Sequence, residues 1–265
     1  PDPRIERRKL YSLSSVLGIA LCATLCGATD FEEMEEYGNA KIGLMRQLFD
    51  LPNGIPSHDT FNRVFKLITP EAFGAVLTQY GAELVGSLSG HHICIDGKCM
   101  RGTGEKGKKG NHCQTIVSAW VSEAGAVIGQ QSVEDKSNEI TAVPKVLEAL
   151  DLRGATVSLD AMGAQREIAT QIANKGGYYL LAIKSNHPTL HKELIEHFDQ
   201  MQADEQENKT TDCDHGRIEV RTCRVSNDLK TIYVANNWTD LKTIICVKSE
   251  VEFKNKDQRR EETRY

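Results

Sequence analysis

Two short stretches of the chain share a pattern. In "ATVSLDAMG", residues 155–163, an apolar, β-branched run from Ala155 to Leu159 ends on Asp160, and small residues with a glycine follow. In "HHICIDGK", residues 91–98, the apolar run Ile93 to Ile95 ends on Asp96 and Gly97. A carboxylate at the carboxyl end of a strand stands on the ligand edge of an α/β sheet. An unpaired buried carboxylate is costly, so two that meet share a cation or a proton. Two carboxylates from neighbouring strands suit magnesium, a hard ion that takes one or two protein oxygens and completes its shell with water and substrate phosphates. The chemistry this points to is metal-assisted phosphoryl transfer. The plainer alternative makes each aspartate a turn or helix-capping residue. A phosphatase with an aspartyl nucleophile also places Asp at a strand end, but it wants a second Asp two residues later, where this chain has Lys98 and Met162.

The other chemistry-bearing patterns are weaker. "GTGEKGKK", residues 102–109, fits G-x-G-x-x-G and nearly fits the phosphate loop, but both need a helix to begin at the glycines. The alternating "NHCQTIVSAW" follows instead, and Lys109 stands where the magnesium-binding hydroxyl would be. A basic loop is the better reading, with Arg101, Lys106, Lys108 and Lys109 as phosphate-backbone contacts or as a solvated hairpin tip. Lys184 and Asn186 close the strand "YYLLAIKSN" on the edge that carries Asp160 and are further candidate backbone contacts. So are Arg63 and Lys66 on a helix following Ser57, against a solvated helix face. His187 and His191 stand at i and i+4, a zinc-compatible spacing without a third ligand. Cys213 and His215 lie in a polar loop beside "HGR", with a metal role as the lesser reading. Glu219, between Arg217 and Arg221, reads first as a surface salt-bridge partner and second as a third metal ligand. Glu139 falls in the first turn of a helix, where the dipole favours an acid.

The elements that must position these residues follow from periodicity. Residues 12–88 read as helices: an apolar one over Ser12 to Cys26 that should be buried, one after Thr29 or Asp30, one capped by Ser57, and one from Pro70 to about Leu88. From His91 onward, strands are expected at 91–97, 113–122, 126–134, 155–160 and 178–184. Helices are expected after Ser137 or Asn138, at 164–174 and at 188–202. The order implies an α/β layer with a mixed sheet. "ADEQENKTTD" reads as a polar linker, and "RIEVRTCRV", "KTIYVAN" and "KTIICVKSEVEF" as three strands of a β-rich insertion at about 205–260.

The bulk numbers constrain class more than function. A chain of 265 residues with 40% hydrophobic and 26% charged residues can bury a real core in one or two domains. A net charge of -5 and a pI near 5.9 do not mark a nucleic-acid binder, though a local basic groove matters more than the total. The basic start and apolar run near the N-terminus imitate a signal peptide, but the run is too short to span a bilayer and no A-x-A pattern follows. No membrane association is expected. The eight cysteines contain no CxxC pair and read as reduced thiols of an intracellular protein. The chain starts at Pro1 without methionine and reads as part of a longer protein.

Several stretches carry a family resemblance: "IDGKCMRG", "EDKSNEITAVPKVLEALDL", "SLDAMGAQREIATQIANKGGYYLLAIKSNH" and "HGRIEVR", with "LCATLCGATDFEEMEEYG" and "NGIPSHDTFNRVF" in the N-terminal region. They closely resemble transposases of bacterial insertion sequences, the type that includes the H-repeat proteins found near Rhs elements. The likeness runs nearly end to end. It implies an RNase H-like α/β catalytic core over residues 89–265 with the β-rich insertion, preceded by an all-helical transposase-associated domain over residues 1–88. It implies Asp96 and Asp160 as catalytic, metal-binding carboxylates, Mg²⁺ or Mn²⁺ as cofactor, and DNA end cleavage and strand transfer. Double-stranded DNA is the implied partner, in a bacterial cytoplasm at the nucleoid, and a homodimer on DNA is compatible with it. The family's third carboxylate is a glutamate in a motif like R-x-H-W-x-[IV]-E-N, which these 265 residues lack. An inactive chain is therefore expected, and a DNA-binding remnant or a simple nuclease are the competing readings.

Overall fold

In a computed structural model the described residues are 2–7, 9–100, 103, 114–133, 139–201, 207–214, 216–253 and 259–265. They fall into two compact units, residues 1–73 and 74–265.

The first unit is built from helices among its described residues. Helix α1 spans Leu13–Leu25, and the Ser12 hydroxyl caps it by accepting the Ser15 N–H at 2.9 Å. Its buried side is Ser15, Val16, Ile19, Ala20 and Ala23, while Leu21 and Leu25 are exposed. The expectation of burial all round is therefore corrected: the helix buries one stripe. Helix α2 spans Phe31–Ala40 and is capped by Asp30, which accepts the Glu33 N–H at 2.8 Å; Glu33 reaches back to the Thr29 N–H at 2.6 Å. The first bond satisfies one of the orphan donors at the helix start, and the second ties down the residue before the cap. A short α3, Ile42–Leu48, and α4, His58–Leu67, complete the unit before α5, Pro70–Val85, begins. Phe61 and Val64 of α4 and Met45 of α3 join the α1 stripe in one core.

The second unit holds two sheets. The first has five strands in the order β3-β2-β1-β4-β5. They are β1 His92–Met100, β2 Gln114–Val121, β3 Ala126–Ser132, β4 Thr156–Leu159 and β5 Tyr178–Leu181. β1, β2 and β3 form an antiparallel meander, while β4 and β5 join parallel to β1 and to each other. Helix α6, Glu139–Glu148, and α7, Arg166–Asn174, supply Val143, Leu147, Ile168 and Ile172 to a core with Ile93, Ile95, Val117, Val157 and Leu159. Helix α8, Pro188–Gln200, buries Leu190, Leu194 and Phe198 in a second core with Ile232, Trp238 and Ile244.

The second sheet is antiparallel in the order β6-β7-β8-β9, with β6 Glu207–Asp214, β7 Arg217–Ser226, β8 Ile244–Phe253 and β9 Arg259–Arg264. Two expectations change here. The polar "ENKTTDCD" is a strand rather than a linker, paired along its length with β7. "KTIYVAN" is not a strand: residues 229–238 make successive i→i+3 turns that end in a 3₁₀ helix at Ala235–Asn237. Those turns drop Ile232 and Trp238 into the core beside α8 while Tyr233 points out. Core packing has overridden the β propensity of the segment. Cys99 is disulfide-bonded, which corrects the all-thiol reading, while Cys22, Cys26, Cys94, Cys213, Cys223 and Cys246 are free. No helix among the described residues is long and apolar enough to cross a membrane.

Candidate active site

The aspartates come together through the register of one strand pair. β1 and β4 run parallel with His92 opposite Thr156 and Ile95 opposite Leu159. Asp96 and Asp160 come next on the two segments and so occupy matched positions, but only Asp160 stands at a strand end: β1 runs on through Asp96 and Gly97 to Met100, paired with β2, which corrects the expectation that the strand stops at Asp96. Burial sets this register: Ile93, Ile95, Val157 and Leu159 all enter the core, and a one-residue slip would turn a strand inside out. Both aspartates are exposed, and both line one small pocket with Gly97, Val117, Ile140, Val143, Met162 and Gly163.

The loop after β4 fixes Asp160. Its Oδ1 accepts the N–H groups of Met162 and Gly163, each at 3.0 Å. This is an Asx-type turn, so the turn reading of Asp160 holds for one oxygen. Among the described residues the other oxygen has no hydrogen-bond partner. Gly163 is required by space: a Cβ there would lie 2.7 Å from Leu159 Cδ2 and 3.0 Å from Leu159 Cβ.

A second loop, between β5 and α8, braces the first. The Asn186 side-chain amide donates to the Ala161 carbonyl at 2.6 Å, and its Oδ1 accepts the Lys184 N–H at 3.2 Å. His187 Nε2 donates to the Ala164 carbonyl at 2.5 Å while its ring meets Trp238 edge-on at 5.0 Å. Sequence reasoning placed Asn186 among DNA contacts and gave His187 no structural task. Neither brace leaves a sequence signal, because each partner is a backbone carbonyl.

The remaining candidates are dispersed. Lys184 lies exposed on the same edge as Asp160. Arg63 lies in the first unit, where it bonds the Asp59 carbonyl and the Thr60 hydroxyl one turn back on α4. Arg101, Lys106, Lys108, Lys109 and His215 lie outside the described residues. His191 packs on Tyr265 at 5.4 Å, and no group of three or more His, Cys, Asp or Glu able to hold a metal occurs among the described residues. Glu219 is on the second sheet, not in the aspartate pocket. It accepts from the Ser249 hydroxyl at 2.8 Å and from Arg221 at 2.9 Å, and these bonds, Ser249 first, hold its carboxyl below the usual range. A larger apolar cleft lined by Tyr179, Leu181, Leu190, Trp238 and Tyr265 has no Asp or Glu in its lining.

Against known families, residues 88–257 match the Transposase DDE domain and residues 1–81 match the DDE_Tnp_1-associated region. The chain belongs to the DDE transposase family. This transposase-family chain is 42% identical over 254 residues to a protein named for the dhlA 3′ region of Xanthobacter autotrophicus, covering 94% of this chain and 85% of that one. It is 37% identical over 230 residues to "Putative transposase YncI" of Escherichia coli O157:H7, covering 86% of this chain and 59% of the relative. It is 34% identical over 253 residues to "H repeat-associated putative transposase YhhI" of Escherichia coli K12, covering 93% of this chain and 66% of the relative. The transposase-family chain therefore spans less than two thirds of the length of the last two. In structure, a piggyBac transposase synaptic complex with hairpin DNA aligns at a TM-score of 0.35 and 11% identity, covering 83% of this chain and 56% of that one, a likeness too slight to define the fold.

Proposed function

We propose that residues 89–265 form an RNase H-like core of an insertion-sequence transposase, with Asp96 and Asp160 as its metal-holding, catalytic carboxylates and residues 1–88 as its associated helical domain. The observation that carries this reading is the matched placement of Asp96 in β1 and of Asp160 just past its parallel neighbour β4, lining one pocket, in a chain of the DDE family. Their donor set fits Mg²⁺ or Mn²⁺, a hard ion that accepts two carboxylate oxygens and fills its shell with water and phosphate. When bound, such an ion activates a hydroxyl and neutralises charge on the phosphate under attack. The protein's part is orientation. The Met162 and Gly163 N–H groups fix one oxygen of Asp160 and leave the other for a ligand, and Asn186 and His187 hold the loop that carries it. Double-stranded DNA is the partner, met by Lys184, Arg63 and the basic residues Arg101, Lys106, Lys108 and Lys109, in a bacterial cytoplasm at the nucleoid.

The motif with the third carboxylate is absent from these 265 residues, and Glu219 sits among arginines on the other sheet. That combination favours DNA binding without cleavage for this chain by itself. Two carboxylates should bind Mn²⁺ weakly, and Asp160→Asn should remove the binding in a calorimetric titration. End cleavage on a DNA substrate with Mg²⁺ should be near background, since misplacing reacting groups by about 1 Å already costs about 10²-fold. Tight metal binding that survives both Asp96→Asn and Asp160→Asn would sink the site. Robust, Asp160-dependent cleavage would instead show that a residue present here completes it.

A further inference from the structure

The second sheet carries a feature that the aspartate pocket does not use. Residues directly opposite on neighbouring strands share a face of a sheet. In β7 and β8, Glu219 faces Val251 and Arg221 faces Ser249. In β8 and β9, Val251 faces Arg260, Ser249 faces Glu262 and Val247 faces Arg264. One face therefore presents Arg217, Glu219 and Arg221 along β7, and Arg260, Glu262 and Arg264 along β9, lining a common groove across β8. Taken row by row, the arginines come in the order Arg217, Arg260, Arg221, Arg264, alternating between β7 and β9. Rows on one face of a sheet are about 6.7 Å apart, two residues of strand rise.

Within the groove four guanidiniums share two carboxylates, a local excess of positive charge in a chain that is negative as a whole, while Asp212 of β6, opposite Glu219, adds a third acid to the same face on the far side of β7. The two groove acids are tethers. Glu219 is only 13% exposed, whereas the arginine side chains range from 48% to 73%. Arg221 and Arg264 each reach their glutamate through Nε, at 2.9 Å in both cases. Among the described residues their η nitrogens make no hydrogen bond. That leaves the guanidinium fork, the part that grips a phosphate bidentately, facing outward on a side chain held at its base. A solvated Arg–Glu ladder that served only to stabilise the sheet would contribute little and would need no excess of cations.

The groove also leads somewhere. Arg264 precedes Tyr265, whose carbonyl accepts the Ile183 N–H at 2.7 Å. Lys184 follows at once and lies near enough to Glu262 to act on its charge. Asn186, two residues on, holds Ala161 beside Asp160. We propose that this arginine-lined face of the second sheet is a phosphodiester track that leads duplex DNA toward the aspartate edge of the first sheet.

The proposal rests on DNA as the partner, and the test separates the two claims. Binding of a fluorescein-labelled 30-base-pair duplex to the 265-residue protein is followed by anisotropy across a salt series. Each phosphate contact contributes about 0.9 to the slope of log K against log salt. Arg217→Gln with Arg260→Gln should lower the slope by about 2 and weaken binding about 10-fold or more near 0.1 M salt. The same pair changed to Lys should keep most of the slope, which excludes misfolding as the cause. Glu262→Gln should tighten binding, and Arg153→Gln, whose guanidinium pairs with Asp151, should change nothing. An unchanged slope in the double Gln variant overturns the track and leaves DNA binding elsewhere. No binding by the unaltered protein removes both the track and the DNA reading.

Discussion

Asp160 depends on a residue that has no side chain. Gly163 donates its N–H to Asp160 and lies against Leu159, whose Cβ leaves no room for a second one. Gly163→Ala should push the loop off Leu159 and cost about 1–3 kcal/mol, the usual penalty of overpacking. Urea denaturation measures that cost, and a loss near zero would mean that Leu159 can yield. Both aspartates were legible in the sequence because an apolar run that stops on Asp marks the end of the buried stretch; at Asp160 that is also the end of the strand, whereas β1 continues past Asp96 to Met100. Their partnership was not, since nothing local says that β1 and β4 lie side by side. The braces at Asn186 and His187 were illegible for a different reason: a side chain that holds a distant carbonyl has no spacing rule.

Among the elements, the β5–α8 loop is the one that decides how firmly the Asp160 loop stands. Asn186→Ala removes the bond to Ala161 at a cost of about 0.5–1.5 kcal/mol. Amide exchange over residues 160–165 should then quicken, read by mass spectrometry; unchanged protection would show that the Asx turn stands unaided. In the first unit α2 and α4 are joined by another polar contact. Ser57 does not cap α4 with its side chain; the Glu35 carboxylate accepts the His58 N–H at 2.7 Å and meets the imidazole at 2.8 Å. These bonds, backbone first, lower the Glu35 pKa from its ordinary 4.5, and the Glu35 contact raises that of His58 from 6.5, with Asp59 and Glu32 adding to it. A lowered acid stabilises above its unfolded pKa, and a raised histidine stabilises below its own. The melting-temperature gap between the unaltered protein and Glu35→Gln should therefore be widest between about pH 4.5 and 6.5, and should narrow on either side. A flat gap across that range would show that the pair contributes nothing. Element reading worked where burial imposed a period, as in α7, β4 and the start of β8. It failed at β6, whose residues 207–213 are exposed and mostly polar, and at residues 230–236, where the core took Ile232 into turns that also bury Trp238.

Over the whole molecule, an acidic chain displays a basic groove, and the average hid the arrangement. Charge totals are blind to register: Arg217, Arg221, Arg260 and Arg264 share one face only because β7, β8 and β9 pair as they do. The family likeness was legible from the motifs, but it gave no placement for the arginines. β6 adds a last consequence. Among the described residues it is the outermost strand of its sheet and one row of its backbone donors and acceptors has no strand partner, the template on which chains stick edge to edge. It offers that template with Glu207, Lys209 and Asp212 exposed along it and no apolar residue besides Cys213. The same polarity that concealed the strand from sequence reading guards the sheet against joining end on end with copies of itself.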